Sequence, residues 1–210
     1  RSSVLILCLF ILAGCNRMVV GVVGMHPYDH NVTWEKKDKL ARRMGIKQHD
    51  YLVLHHRYAR RVEERRGKEP DKHVQAKYQP LQLRWYSPGG RIQWIVPNCD
   101  VGGFPNLRWD HFGLPDTLIA PLSSRAYADS AWTITDDLLY MSERKNGLPP
   151  THEVAEKGHL LVYWTYFMGR QSVRLSRNIE RWRKRHGAGI HVRYVNADSL
   201  LIGFDRPEVE

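Results

Sequence analysis

The chain has 210 residues, of which 42% are hydrophobic and seven are Trp. That is enough apolar surface for one domain of ordinary size and too much for an unstructured chain. Lys and Arg number 32 against 22 Asp and Glu, a formal charge of +10, which points to nucleic acid, anionic lipid or acidic glycan as the partner classes such a balance attracts. The glycine-rich phosphate loop followed by Lys and Ser or Thr does not occur, so the common NTPase signature is excluded.

The first predicted element is a short apolar run. Arg1 supplies a basic end, Val4 to Leu12 is apolar throughout, Ala13 and Gly14 are small, and Asn16 and Arg17 end the run. It falls short of the roughly 20 residues a membrane-crossing helix needs and has the layout of a secretory signal. Leu12-Ala13-Gly14-Cys15 resembles the lipobox of bacterial lipoproteins. The resemblance implies a signal peptide over 1–14, lipid on Cys15, and an anchor and linker over 15–32. It places the protein in the bacterial cell envelope, on the periplasmic side or the cell surface, held to a membrane through Cys15. Export removes nucleic acid from the expected partners and leaves an envelope protein or an anionic envelope component. With Cys8 in the signal and Cys15 lipidated, Cys99 is the one thiol expected in the mature chain, so no internal disulfide is expected.

The domain itself is expected over 33–210. His26, Asp29 and His30 have a spacing that can contribute zinc ligands, although further ligands would have to come from elsewhere. Thr33 is a good N-cap, Leu40, Ala41 and Met44 share one helical face, and Gly45 is a natural stop. A second helix is predicted over about 50–66, with Leu54, Tyr58 and Val62 at four-residue spacing and His55 and His56 on different faces. The stretch 33–78 is therefore expected to be helical. Its basic runs, Lys36 to Arg43 and Arg57 to Lys68, alternate with apolar residues as solvated helix faces do, and so does Arg170 to Arg185.

From Leu81 the period changes to two. Leu81, Leu83 and Trp85 alternate with Gln82, Arg84 and Tyr86, Ser87-Pro88-Gly89-Gly90 breaks the run, and Ile92, Trp94 and Val96 alternate again, which predicts a β-hairpin over 81–96. The following stretch, 97–121, is rich in Gly, Pro, Asn and Asp. A long loop of this kind is a candidate binding element, with Asn98, Gly102, Gly103, Phe104, Asn106 and Trp109 as its candidate residues. Cys99 beside Asp100, with a histidine such as His111, forms the alternative of an enzyme with a cysteine nucleophile and its base. A short helix is expected within 126–143. The carboxylates of Asp116, Asp129, Asp136 and Asp137 have no spacing that supports glycosidase chemistry.

The clearest unit runs from His159 to Asp198. Leu160 to Phe167 is apolar, Ser172 to Arg185 is basic and amphipathic with Leu175, Ile179 and Trp182 on one side, Gly187-Ala188-Gly189 breaks the helix, and Ile190 to Val195 is apolar again. The pattern predicts strand, helix, strand, with room for a crossover between parallel strands. Leu161-Val162-Tyr163-Trp164-Thr165-Tyr166-Phe167 and Val192-Arg193-Tyr194-Val195-Asn196-Ala197-Asp198 resemble the strands on either side of the active-site helix in thioredoxin-like proteins, in particular the membrane-anchored thiol-disulfide oxidoreductases of the bacterial envelope. The resemblance implies an α/β fold with a thioredoxin-like unit over 159–198. Because twelve residues follow Asp198 in this sequence, the hairpin is expected to complete the sheet from the N-terminal side. At the place of the Cys-x-x-Cys motif stands Met168-Gly169-Arg170-Gln171. A thioether and an amide cannot perform thiol exchange, which needs an ionised thiol and a second one to resolve the mixed disulfide. The expectation is a binding or structural protein that uses no cofactor, with Gly169, Arg170 and Gln171 as a candidate anion-binding helix start.

Overall fold

In the computed structural model, which describes residues 24–27, 29, 31–47, 49–66, 71–98, 132–151 and 155–202, the first helix is α1 (Trp34–Arg43). It begins where Thr33 Oγ1 accepts the Lys36 N–H at 3.4 Å. Glu35 in its first turn and Arg42 and Arg43 in its last complement the helix dipole. The chain leaves through Gly45 at φ +83°, the left-handed conformation that ends many helices.

The expected helix over 50–66 divides in two. Residues 52–54 form strand β1 (Leu52–Leu54), and only Arg57–Glu63 is helical, as α2. The four-residue spacing of Leu54, Tyr58 and Val62 does bring all three into one core, but a strand-to-helix boundary lies between the first and second of them. Pairing with two neighbouring strands overrides the helical pattern at Leu52 and Leu54. The stretch 33–78 is accordingly not helical throughout.

Next come α3 (Asp71–Lys77), β2 (Gln82–Tyr86) and β3 (Ile92–Pro97), the last two forming the expected antiparallel hairpin. The short helix α4 (Ile134–Leu138) opens on a capping box between Thr133 and Asp136 and is followed by β4 (Met141–Glu143). The predicted strand-helix-strand unit is β5 (Gly158–Trp164), α5 (Gly169–His186) and β6 (Ile190–Asn196), with β5 and β6 parallel. Helix α6 (Asp198–Ile202) follows. No helix of the described residues is long and apolar enough to cross a membrane.

The fold is mixed α/β, built on one six-stranded sheet of order β3-β2-β5-β6-β1-β4. Strands β5, β6 and β1 are parallel, and the hairpin and β4 add antiparallel edges. One row of partners crosses the whole sheet, from Pro97 through Gln82, Tyr163, Val195 and Leu52 to Glu143. This row lies near the carboxyl ends of β5 and β6, and β3 leaves the sheet at the same end.

Both faces of the sheet are covered. Strand β5 sends Leu160, Val162 and Trp164 into a core shared with Leu40 of α1, the Met44 that caps it, and Leu175, Ile179 and Trp182 of α5. Its alternate residues, Leu161 and Tyr163, join Tyr58, Val62, Val74, Ile134 and Leu200 on the other face. Successive strand residues point to opposite sides, so burying all seven positions of β5 requires helices on both. Each fully buried aliphatic side chain contributes about 1.5–3 kcal/mol.

Candidate functional site

In open α/β sheets, ligands gather outside the carboxyl ends of parallel strands. Here that end carries Thr165 and Tyr166 after β5, Ala197 and Asp198 after β6, and His55 and His56 after β1. The backbone closes tightly around it: the Ala197 N–H donates to the Trp164 carbonyl at 2.8 Å, and Ser199 Oγ donates to the Leu54 carbonyl at 2.7 Å.

Asp198, buried just past β6, links the ends of β5 and β6. One carboxylate oxygen accepts the Tyr166 N–H at 2.7 Å, and the other accepts Asn196 Nδ2 at 2.9 Å and lies 3.5 Å from Lys37 Nζ. Burial pushes its carboxyl pKa up, against the pull of Lys37 and the two donors. Lys37, on α1, ties the neighbouring layer to this carboxylate. Neither residue stands out in the sequence, because Asp198 follows a strand as an ordinary helix opener and Lys37 sits within a basic run.

The helix start at Met168-Gly169-Arg170-Gln171 is roofed by residues 24–26. The Arg170 N–H donates to the Gly24 carbonyl at 2.7 Å, the Gly169 N–H to the Tyr166 carbonyl at 3.0 Å, and the Gln171 N–H to the Met168 carbonyl at 2.8 Å. Thr165 Oγ1 accepts the Met168 N–H at 3.2 Å. The first amides of α5, expected to receive an anion, thus donate to the protein's own oxygens. Gly169 has φ +43°, and a Cβ there would stand 2.6 Å from the Gly24 carbonyl oxygen. Met168 and Gln171 are 4% and 1% exposed.

His26 belongs to this roof. Its N–H donates to the Phe167 carbonyl at 2.8 Å, its Nδ1 to the Tyr166 carbonyl at 2.7 Å, and its ring stacks on Tyr166 with centroids 4.1 Å apart. Two groups the sequence presented separately, the His26 cluster and the start of α5, are thereby one structure. Asp29 instead accepts the Asn31 N–H at 2.8 Å and faces Lys36 at 3.5 Å. His30 lies outside the described residues. Among the described residues no group of three or more His, Cys, Asp or Glu side chains is arranged to share a metal ion.

His55 and His56 are not on a helix interior as expected, since β1 ends at Leu54 and His56 is the N-cap residue of α2. Burial, then the neighbouring His56 and Arg57, lower the His55 pKa. Asn98 follows β3 at the carboxyl end of the sheet, and its N–H donates to the Leu81 carbonyl at 2.9 Å. Gly102, Gly103, Phe104, Asn106, Trp109, Cys99 and His111 lie outside the described residues, as do Cys8, Cys15, Asp116 and Asp129.

A second polar cluster lies beneath the opposite face of the sheet. Arg84 on β2 and Asp137 on α4 have fully buried side chains 2.7 Å apart. The guanidinium also donates to Tyr58 Oη at 2.5 Å, Gln82 Oε1 at 2.9 Å and the Lys77 carbonyl at 3.2 Å. It lies over the Tyr163 ring, 4.3 Å from its centroid. Asp137 receives Trp132 Nε1 at 3.1 Å and the Tyr86 hydroxyl. Burial alone would lower the Arg84 pKa, but the Asp137 carboxylate outweighs it and holds the guanidinium charged. With both Asp137 oxygens taken by donors and Asp136 committed to its capping box, these two carboxylates are structural.

Comparison with protein-family models, with curated proteins and with solved structures found no match to this chain.

Proposed function

We propose that this chain is a lipid-anchored protein of the bacterial cell envelope, whose α/β core is a thioredoxin-like unit without a redox centre and which acts by binding. The observation that carries this reading is the state of the helix start after β5. Where thiol-disulfide oxidoreductases present two cysteines, Met168 and Gln171 are buried and Gly24 and His26 lie across Gly169. A thioether and an amide form no thiolate, and the helix amides that would stabilise one already have acceptors. The thioredoxin-like assignment draws on β5, α5 and β6 as a parallel unit, with β1 beside β6 and the antiparallel hairpin beside β5. The hairpin precedes the unit in the chain, so the connections are permuted relative to that family. Lipid on Cys15 rests on the Leu12-Ala13-Gly14-Cys15 motif, and the partner is an envelope protein or an anionic envelope component.

Two measurements test this. Mass spectrometry of the protein from bacterial membranes is expected to find residues 1–14 removed and acyl groups on Cys15; an unmodified cysteine or a retained leader overturns the anchor. Insulin and glutathione-disulfide reduction assays are expected to give no turnover above the uncatalysed rate; turnover by the protein overturns the redox-inactive core.

A further inference from the structure

The outer side of α5 has a charge pattern that packing does not explain. Arg170, Arg174, Arg177, Arg181, Lys184 and Arg185 recur at three- and four-residue spacing, which places them along one side of the helix. The opposite side carries Leu175, Ile179 and Trp182 into the core. Five of the six, Arg170, Arg177, Arg181, Lys184 and Arg185, are exposed. The only carboxylate of α5, Glu180, is engaged elsewhere: it accepts the Tyr194 hydroxyl at 2.8 Å and pairs with Arg183 at 2.9 Å. The row therefore contains no acid.

The second observation is where the N-terminal segment meets this helix. Gly24 accepts the Arg170 N–H, and a Cβ on Gly24 would run into the Arg170 side chain. Cys15 precedes Gly24 by nine residues, which span at most about 30 Å when fully extended at ~3.3–3.6 Å each. From Arg170 to Arg185 the row is about 22 Å long at ~1.5 Å per residue. A lipid on Cys15 thus keeps the head of the row within about 30 Å of the bilayer.

We infer that the outer side of α5 is a membrane-docking face that binds anionic phospholipid headgroups and lays the helix along the bilayer beside the anchor. This inference rests on the anchored reading above for its orientation, while the affinity of the face for anionic lipid is a property of the chain itself. Clusters of four to eight basic residues next to a membrane anchor bind acidic lipid at a gain of roughly fivefold in partitioning per residue.

The test uses the full chain carrying Cys15→Ser, so that no acyl group contributes, and phosphatidylcholine vesicles with and without phosphatidylglycerol. Co-sedimentation is expected only with the anionic vesicles beyond a common background, and it is expected to vanish at ~1 M salt, where the Debye length is about 3 Å. Arg177→Gln/Arg181→Gln/Arg185→Gln is expected to lower the anionic component of partitioning about 100-fold. A control of equal charge, Arg57→Gln/Arg60→Gln/Lys145→Gln, removes exposed cations outside α5 and is expected to lower it less than tenfold. Circular dichroism confirms that each variant is folded, and Arg181→Lys alone keeps the charge and is expected to bind as the parent does. Equal loss in the two triple variants, or equal binding to neutral vesicles, overturns the proposal. So does competition by duplex DNA at the same phosphate concentration as effective as that of the vesicles. Absence of lipid on Cys15 in cells overturns the anchor and leaves the vesicle result standing.

Discussion

The Arg84 guanidinium and the Asp137 carboxylate lie 2.7 Å apart with no exposed side-chain surface on either, although they are 53 residues apart in the chain. Around them stand Tyr58, Tyr86, Trp132 and Gln82, so one ion pair links β2, α2 and α4. Removing one partner strands the other charge in the interior. Arg84→Met is expected to cost about 3–5 kcal/mol. Arg84→Met/Asp137→Leu is expected to cost less than the two single changes added together, because no charge remains to be desolvated. Urea denaturation of the four proteins measures the coupling; additive single effects would show that the pair does not act as a unit.

Gly158 and Gly45 both have positive φ, at +124° and +83°, but they differ in surroundings. A Cβ on Gly158 would collide with the Tyr86 carbonyl and stand 3.0 Å from the Trp85 indole, whereas nothing lies within 4 Å at Gly45. Gly45→Ala is expected to cost about 1 kcal/mol of backbone strain alone. Gly158→Ala adds a steric conflict between paired strands and is expected to cost several times as much, of order 3 kcal/mol or more. Thermal melts of the two variants rank them.

The roof on α5 is a local structure with a local signature. Gly169→Ala pushes a methyl group toward the Gly24 carbonyl, the acceptor of the Arg170 amide. Hydrogen exchange at Arg170 is expected to rise about tenfold or more, corresponding to ~1.4 kcal/mol of local opening. Amides within β5 are expected to exchange as in the parent. Uniform acceleration throughout the sheet would mean that the segment 24–26 supports the whole fold rather than the helix start.

Asp38 gives the stability a defined acid limb. It accepts the Tyr51 hydroxyl at 2.6 Å and Arg144 at 3.1 Å, with His49 at 3.3 Å. Burial works to raise its pKa, but these donors outweigh it and the folded-state value is lowered. A carboxylate with a depressed folded-state pKa stabilises the protein above its unfolded value of ~3.9 and loses that contribution as pH falls through the folded value. Asp38→Asn is therefore expected to be less stable than the parent at pH 7, by about 1.5–3 kcal/mol. The gap is expected to close below about pH 4. Stability measured by urea at a series of pH values reads this directly, and a gap independent of pH would remove Asp38 as its source.

Much of the architecture was legible in local patterns. The hairpin showed in the alternation from Leu81 to Val96, α1 in its Thr33 cap and Gly45 stop, and the β5-α5-β6 unit in a change of period around Met168. Strand β1 was hidden because three residues cannot establish a period, and the spacing of Leu54, Tyr58 and Val62 continues a helical pattern across its end. In the site, the start of α5 and His26 were each visible as features. Their contact was not, since the Gly24 carbonyl that joins them leaves no mark on side-chain chemistry.

By itself the sequence determined which faces are apolar, where helices start and stop, and that no cysteine lies between Gly158 and Asn196. These depend on residue type and near neighbours. Tertiary structure alone decided which partners the polar residues meet. Arg84 alternates in the hairpin as a solvated residue would, yet α2 and α4 cover it, and Lys37 leaves its basic run to face Asp198. The physical reason is that a buried charge is tolerable only beside a donor or acceptor brought from a distant part of the chain, and strand order, which no local pattern encodes, fixes which one arrives.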